Sequence, residues 1–177
     1  AAAVAAARCG ANTVLLERYG YLGGLATGGM VILLLSLDDG NGTQVIAGLC
    51  QELVDRLEQR NAAVFPKAGE WGSDDPALID HYRKWGLIWG GVPDRVRYSV
   101  AYEPGEFKFI GDQMVAEAGV RLRLHSWATD LVLDGNRISH VICQSKSGRQ
   151  AIQPKVVIDA TGDGDLLPWA GLPFEAA

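Results

Sequence analysis

Apolar and polar positions along the chain fall into alternating helical and strand periods. Residues 1–8 (AAAVAAAR) are strong helix formers, and Gly10 stands where a helix stop belongs. Residues 12–16 (NTVLL) form a short β-branched, apolar run that closes on Glu17, the pattern of a buried parallel strand. Together they read as the second half of a βαβ unit whose first strand the sequence lacks. Residues 20–29 (GYLGGLATGG) hold five glycines in ten positions, the composition of a loop with close backbone approach. Ile46, Leu49, Cys50, Leu53, Val54 and Leu57 then recur at helical spacing, which predicts a helix over 45–59. Residues 61–101 keep no period and carry Trp71, Tyr82, Trp85, Trp89 and Tyr98, so an irregular, aromatic-rich insertion with short helices is expected there.

The second half of the chain is more regular. Phe107, Ile110, Met114 and Ala118 share one face of a helix predicted over 104–118, with Pro104 in its first turn and Gly119 as its stop. Val120, Leu122 and Leu124 alternate with Arg121, Arg123 and His125, the period of a strand. Three short strands over about 128–133, 138–145 and 149–152 follow, joined by Asp134-Gly135-Asn136 and Ser147-Gly148, which predicts a β-meander. Residues 156–159 (VVID) read as one more buried strand, running into Ala160-Thr161-Gly162-Asp163.

Composition narrows the class without naming a chemistry. In 177 residues, 48% hydrophobic and 21% charged positions describe a chain that folds around a core. A net charge of −5 argues against a nucleic-acid partner, because phosphate contacts need a basic face. The longest apolar run, 30–35 extended by Leu37, falls far short of the roughly 20 residues that cross a bilayer. Cys9, Cys50 and Cys143 lie far apart and have neither metal-site nor disulfide spacing; a reducing, cytoplasmic compartment is expected. The chain starts inside a helical pattern and stops abruptly after AGLPFE, so it is expected to be cut from a longer protein at both ends.

Three segments carry candidate chemistry. A carboxylate at the carboxyl end of the second strand of a dinucleotide fold accepts hydrogen bonds from ribose hydroxyls, and Glu17 stands there. Taken alone, it reads first as a solvent-facing acid at a strand end. The usual spacing of about 20 residues from a glycine fingerprint to that acid places the glycines before Ala1. A carboxylate there disfavours a 2′-phosphate, although the neighbouring Arg18 weakens that inference. Gly23, Gly24, Ala26, Thr27, Gly28 and Gly29 offer backbone N–H groups without bulky side chains, as a phosphate or flavin ring requires; the plain alternative is a flexible loop. Ala160, Thr161, Gly162, Asp163, Gly164 and Asp165 are small residues after an apolar strand, which lets the backbone pass beneath a cofactor. In that string Asp163 can hold a sugar hydroxyl, and Asp165 caps the helix that follows.

In this order, ERYGYLGGLATGG and VVIDATGDGDL resemble the FAD-dependent oxidoreductase family, whose wider clan includes fumarate reductase and glutathione reductase flavoproteins. AAAVAAARCGA, GEFKFIGDQMVAEAGVRLRLHSWATDL and AGLPFE extend the likeness over most of the chain. The resemblance implies an α/β, Rossmann-like FAD-binding domain over 1–177, with a parallel sheet and a β-meander. It implies FAD held with its adenosine ribose at Glu17 and Arg18. Pyrophosphate and flavin would lie near Gly23, Gly24, Ala26 and Thr27. Adenine would contact the backbone at Ala128, and the turn Ala160, Thr161, Gly162 and Asp163 would close over the cofactor. The sequence departs from the family in lacking G-x-G-x-x-G and everything beyond Glu175.

The implied activity is hydride transfer between a small organic substrate and FAD, with an NAD-binding dehydrogenase and a non-catalytic nucleotide-binding subunit as alternatives. No residue stands out as catalytic, and no metal ligands are expected. His81 falls in the aromatic stretch and is a minority candidate for proton transfer. His125 reads as an ordinary, partly exposed histidine and His140 as structural; Trp85 and Trp89, at i and i+4, could face a substrate but read first as buried surface, and Cys50 reads as core. Asp38-Asp39 and Asp74-Asp75 read as loop acids.

Overall fold

The computed structural model describes residues 1–90, 93–173 and 175 of the chain. Residues 91–92 of the aromatic stretch and Phe174 of AGLPFE lie outside the described residues. The first half holds α1 (Ala2–Arg8), β1 (Val14–Leu16), β2 (Leu33–Leu34), α2 (Leu49–Gln59), β3 (Ala63–Val64) and α3 (Pro76–Arg83). The second half holds β4 (Val100–Tyr102), α4 (Pro104–Glu117), β5 (Arg121–Arg123), β6 (Trp127–Asp134), β7 (Arg137–Ser145), β8 (Gly148–Ile152) and α5 (Leu166–Trp169). Three sheets form: a parallel pair β1–β5, an antiparallel set in the order β2–β4–β3, and the meander β6–β7–β8.

The main core packs α1, α2 and α4 against this frame. Val4, Leu57, Tyr102, Ile110, Met114, Val115 and Val120 are buried together, with Leu15, Leu22 and Leu53 against them. Each such side chain contributes roughly 1.5–3 kcal/mol by leaving water. Glu103 caps α4 by accepting the Gly105 and Glu106 N–H groups, and Pro104 fills the first turn, where its missing donor has no cost. Gly119, at φ +72°, reverses the chain so that Val120 enters the core and β5 pairs with β1. On the outer surface Arg8, Glu52, Arg56 and Glu117 form a chain of ion pairs across the three helices.

Two predicted elements differ from the structure. The helix expected over 45–59 begins only at Leu49, because Gly48 takes φ +61° and the N–H groups of Val45 and Ile46 both donate to the Leu37 carbonyl. The buried strand expected over 156–159 is not a strand: Val156 is 78% and Ile158 61% exposed. Among the described residues no strand pairs with this segment, so its backbone joins no ladder. Only Val157 packs inward, against Leu131, Val141 and Leu166.

The loop acids also separate. Asp75 caps α3 by accepting the Ala77 N–H at 2.8 Å. Asp39 accepts the N–H groups of Asn41 and Thr43, and these bonds hold its carboxyl below the usual range. Asp38 is buried at 5% exposure, and neither of its carboxylate oxygens has a hydrogen-bond partner among the described residues.

Two expectations follow for stability. Asp38→Leu removes an unpaired buried polar group, whose burial costs about 1–3 kcal/mol, and the thermal unfolding midpoint is expected to rise. A fall of the midpoint would show that the carboxylate is satisfied in solution. Hydrogen bonding from Arg8, then from Arg56, holds the Glu52 carboxyl at about 2 against burial, which pushes it up, from an ordinary 4.5. A depressed carboxylate stabilises the fold above its unfolded value and loses that contribution as pH falls from about 4.5 towards 2. Glu52→Gln is therefore expected to flatten the acid limb of stability against pH over that window, measured by denaturant melts.

Candidate functional site

The site begins where the parallel pair ends. The Glu17 N–H donates to the Arg123 carbonyl at 3.0 Å, and its own carbonyl accepts the Ser126 N–H at 2.9 Å. The β1–β5 ladder thus runs one step beyond Leu16, and Glu17 is held at the carboxyl edge of the pair. Its Oε1 accepts the Tyr19 N–H at 2.8 Å, and no hydrogen bond among the described residues occupies Oε2. The next side chain, Arg18, lays its guanidinium over Trp127, 4.1 Å from the ring centroid, with Tyr19 on another side at 5.6 Å. Trp127 begins β6, so Arg18 and Ala128 are brought to the same corner. Tyr19 and Tyr21 stack at 5.7 Å and 8°, and the Lys108 ammonium sits 4.3 Å from the Tyr21 ring centroid.

The glycine-rich loop folds back on this corner. The His125 N–H donates to the Tyr19 carbonyl, and its imidazole lies so close to Gly20 that a Cβ there would fall 2.6 Å from Nε2. A side chain at position 20 would force the ring away. Gly23, at φ +111°, opens a single 3-10 turn, Gly24–Ala26, and a Cβ on Gly23 would run into the Thr27 side chain. Thr27 is wholly buried, and its hydroxyl donates to the Leu22 carbonyl at 2.7 Å. Its side chain therefore holds the loop from within and does not face a ligand. The N–H groups of Ala26, Thr27, Gly28 and Gly29 bond to the carbonyls of Gly23 or Gly24, whereas those of Gly23 and Gly24 enter no hydrogen bond among the described residues. From below, the Tyr102 hydroxyl meets the Ala26 and Val31 carbonyls at 2.9 and 2.8 Å. Burial pushes that hydroxyl up to about 12, so it remains a neutral donor across the physiological range.

The third segment is organised by a residue that the sequence reading took as the end of a strand. Asp159 Oδ1 accepts both the N–H and the hydroxyl of Thr161, at 3.0 and 2.8 Å, while Oδ2 accepts the Leu166 N–H at 3.0 Å. Burial pushes the Asp159 carboxyl up, but these bonds outweigh it and hold the group below the usual range. The Thr161 hydroxyl in turn accepts the Asp165 N–H at 2.9 Å. Asp159, and not Asp165, thus caps α5; the Asp165 side chain makes no capping bond. Thr161 is committed inside the turn, as Thr27 is in its loop. Ala160, Gly162 and Gly164, with Asp159 and Leu167, line an open recess of about 400 Å³. Asp163 is exposed at its rim.

One apolar cluster joins the parts: Leu166 of α5 packs with Leu131 and Val141, and Leu16, Ala128 and Val157 lie against them. Glu17, Ala128 and the turn Ala160–Asp163 are each anchored next to a member of that cluster. His81 is exposed on α3, its ring set edge-on to Tyr82. His140 sits in β7, with Nδ1 3.1 Å from the Ser139 hydroxyl. Sequence reasoning missed Asp159, Tyr102 and Trp127. The only signal for Asp159 was an acid followed by small residues and a helix start; Tyr102 and Trp127 carried none, because their partners lie 71 to 109 positions away.

Solved structures and one family model resemble this chain. THI4 from Thermovibrio ammonificans superimposes with a TM-score of 0.51 at 16% identity, covering 97% of this chain and 58% of that one. Glycine oxidase from Bacillus cereus gives 0.44 at 13% identity, covering 85% and 50%. Glycerol-3-phosphate dehydrogenase from Bacillus halodurans, solved with FAD, gives 0.43 at 10%, covering 86% and 30%. At such identities THI4 speaks for the fold alone, and the chain spans little more than half of its length. No curated protein matches the sequence. The model of the family described as FAD dependent oxidoreductase matches residues 1–177, and the chain belongs to that family.

Proposed function

We propose that the chain forms the cofactor-holding part of an enzyme that moves a hydride between a small organic substrate and FAD. The observation that carries this reading is that the fold presents three groups suited to one extended dinucleotide, the first and the last of them beside one apolar cluster. These are a carboxylate with a free oxygen at Glu17, unbonded amides at Gly23 and Gly24, and a small-residue recess at Ala160, Gly162 and Gly164. They fit the group the family uses. Glu17 Oε2 has room for a ribose hydroxyl. The Gly23 and Gly24 amides are among the donors left for a phosphate oxygen. The recess admits backbone contact without a side chain intervening.

FAD, when bound, supplies the two-electron redox centre, and the protein supplies placement and electrostatics. Within that division of labour, Glu17 orients the sugar and discriminates against an added phosphate by its charge. Ala128 turns its methyl into the cluster of Leu131, Val141 and Leu166, which leaves its backbone for the base. Thr27, Thr161, Asp159 and Tyr102 act from within, fixing the two loops so that their amides are preorganised. No helix among the described residues is long and apolar enough to cross a membrane.

Titration of the purified protein with FAD, followed by flavin absorbance and fluorescence quenching, tests the reading. Saturable binding is expected, and Glu17→Ala is expected to weaken it about tenfold or more, the worth of one or two hydrogen bonds to a charged acceptor. Unchanged affinity in Glu17→Ala would remove the ribose role, and no FAD binding by the wild-type protein would remove the reading itself. For the loop, Tyr102→Phe is expected to speed hydrogen exchange of the amides at 26–31 and to leave the β6–β7 amides unchanged. Equal protection in both proteins would show that the hydroxyl does not hold the loop.

A further inference from the structure

We infer that Trp127 is a positioning residue: it holds the Arg18 guanidinium flat, as the platform on which the purine of the bound dinucleotide stacks. The inference rests on the proposed function, because it takes the ribose to lie at Glu17.

Arg18 is an exposed side chain that enters no ion pair and no hydrogen bond among the described residues; its contacts are with rings. Long cationic side chains without partners sample many rotamers, and ordering one on binding weakens the complex. Here the guanidinium is already placed 4.1 Å from the Trp127 ring centroid. The ring itself is fixed by the sheet, since Trp127 pairs with Gln144 at the first step of the β6–β7 ladder. A guanidinium is planar and delocalised, with two faces that stack on aromatic rings. Trp127 lies against one face of it at 4.1 Å, and both side chains are exposed. The other face is left for a flat ring.

The position in the chain sets which ring that is. Arg18 follows the acid that meets the ribose, and Trp127 precedes Ala128, whose methyl packs into the apolar cluster and stays out of the approach. A base carried on that ribose is the planar group within reach. Tyr19, stacked on Tyr21 beneath Lys108, closes another side of the guanidinium at 5.6 Å and narrows the directions in which Arg18 can move. The arrangement also explains how a cation can stand beside Glu17 without pairing to it: its ring contacts replace the ion pair, and the carboxylate oxygen stays available.

The test is calorimetric titration with FAD, and with ADP as a probe that carries the purine and ribose without the flavin. The proteins compared are the wild type, Trp127→Leu, Trp127→Phe, Arg18→Ala, Arg18→Lys and the double variant Arg18→Ala/Trp127→Leu, each with its melting temperature. Loss of a base stack is expected to weaken FAD and ADP binding roughly tenfold in Trp127→Leu and Arg18→Ala. Trp127→Phe should restore most of the affinity, because a ring is enough. Arg18→Lys should behave like Arg18→Ala, because charge is kept but the plane is lost. The double variant should be no weaker than Arg18→Ala alone, the mark of a residue acting through another.

Wild-type affinity in Trp127→Leu, or fully additive losses in the double variant, overturns the inference and leaves the flavin reading intact. Loss of affinity with an equal fall in melting temperature for Trp127→Leu and Trp127→Phe makes Trp127 structural and overturns it as well. Failure of the wild-type protein to bind either FAD or ADP removes the proposed function, and this inference with it.

Discussion

Three residues of β1 lie in parallel register with three of β5, Val14 with Arg121 through Leu16 with Arg123, and nearly every candidate contact depends on that pairing. The ladder continues into the Glu17 bonds to Arg123 and Ser126, so the acid is fixed at both its N–H and its carbonyl. The same backbone leads through Ser126 into Trp127 and the meander. A slip of one residue would turn Leu15 outward and move Glu17 off the edge, because side chains alternate along a strand. So short a parallel pair is weak by itself. It is held by the helices on its faces: Leu15 and Leu122 pack into the cluster built on Ile110 and Met114 of α4. The ion pairs from Arg8 to Glu117 tie α1 and α4 together through α2.

Once that edge is set, the loops above it divide their polar groups into two kinds. Thr27, Thr161, Asp159 and the Tyr102 hydroxyl spend their hydrogen bonds inside the protein. Glu17 Oε2 and the Gly23 and Gly24 amides spend none there. Preorganised donors and acceptors bind better than floppy ones, since their ordering was settled when the chain folded. The threonines of ATGG and ATGD are, in this sense, scaffolding. The groups that face outward are a carboxylate, two amides and surfaces with no side chain.

The structure also carries features that cost stability. Asp38 is buried without a partner, and Val156 and Ile158 lie exposed beside the recess. Exposed apolar side chains at a recess edge are common where something binds. His125, at φ +49°, is a non-glycine residue in the left-handed region, a conformation that has to be held by its surroundings. It stands where the chain turns from β5 to β6, with its ring against Gly20, and that contact fastens the glycine loop to the sheet edge.

Local pattern was enough to reveal the helices α1 and α4, the strands β1 and β5 and the meander, because periods of 3.6 and 2, Gly119 and the Asp134–Asn136 turn act over a few residues. It also put forward Glu17 and the two small-residue loops as candidates, since glycine and alanine at a strand end restrict what the backbone can do. It misjudged residues 156–159, which are apolar enough for a strand but have no ladder among the described residues. It assigned the α5 cap to Asp165 although Asp159 makes it, seven residues before the N–H it accepts. Tyr102 beneath the glycine loop and Trp127 beside Arg18 were not legible at all. Their roles arise only when the fold brings together residues that are distant in sequence, and no local propensity encodes such a contact.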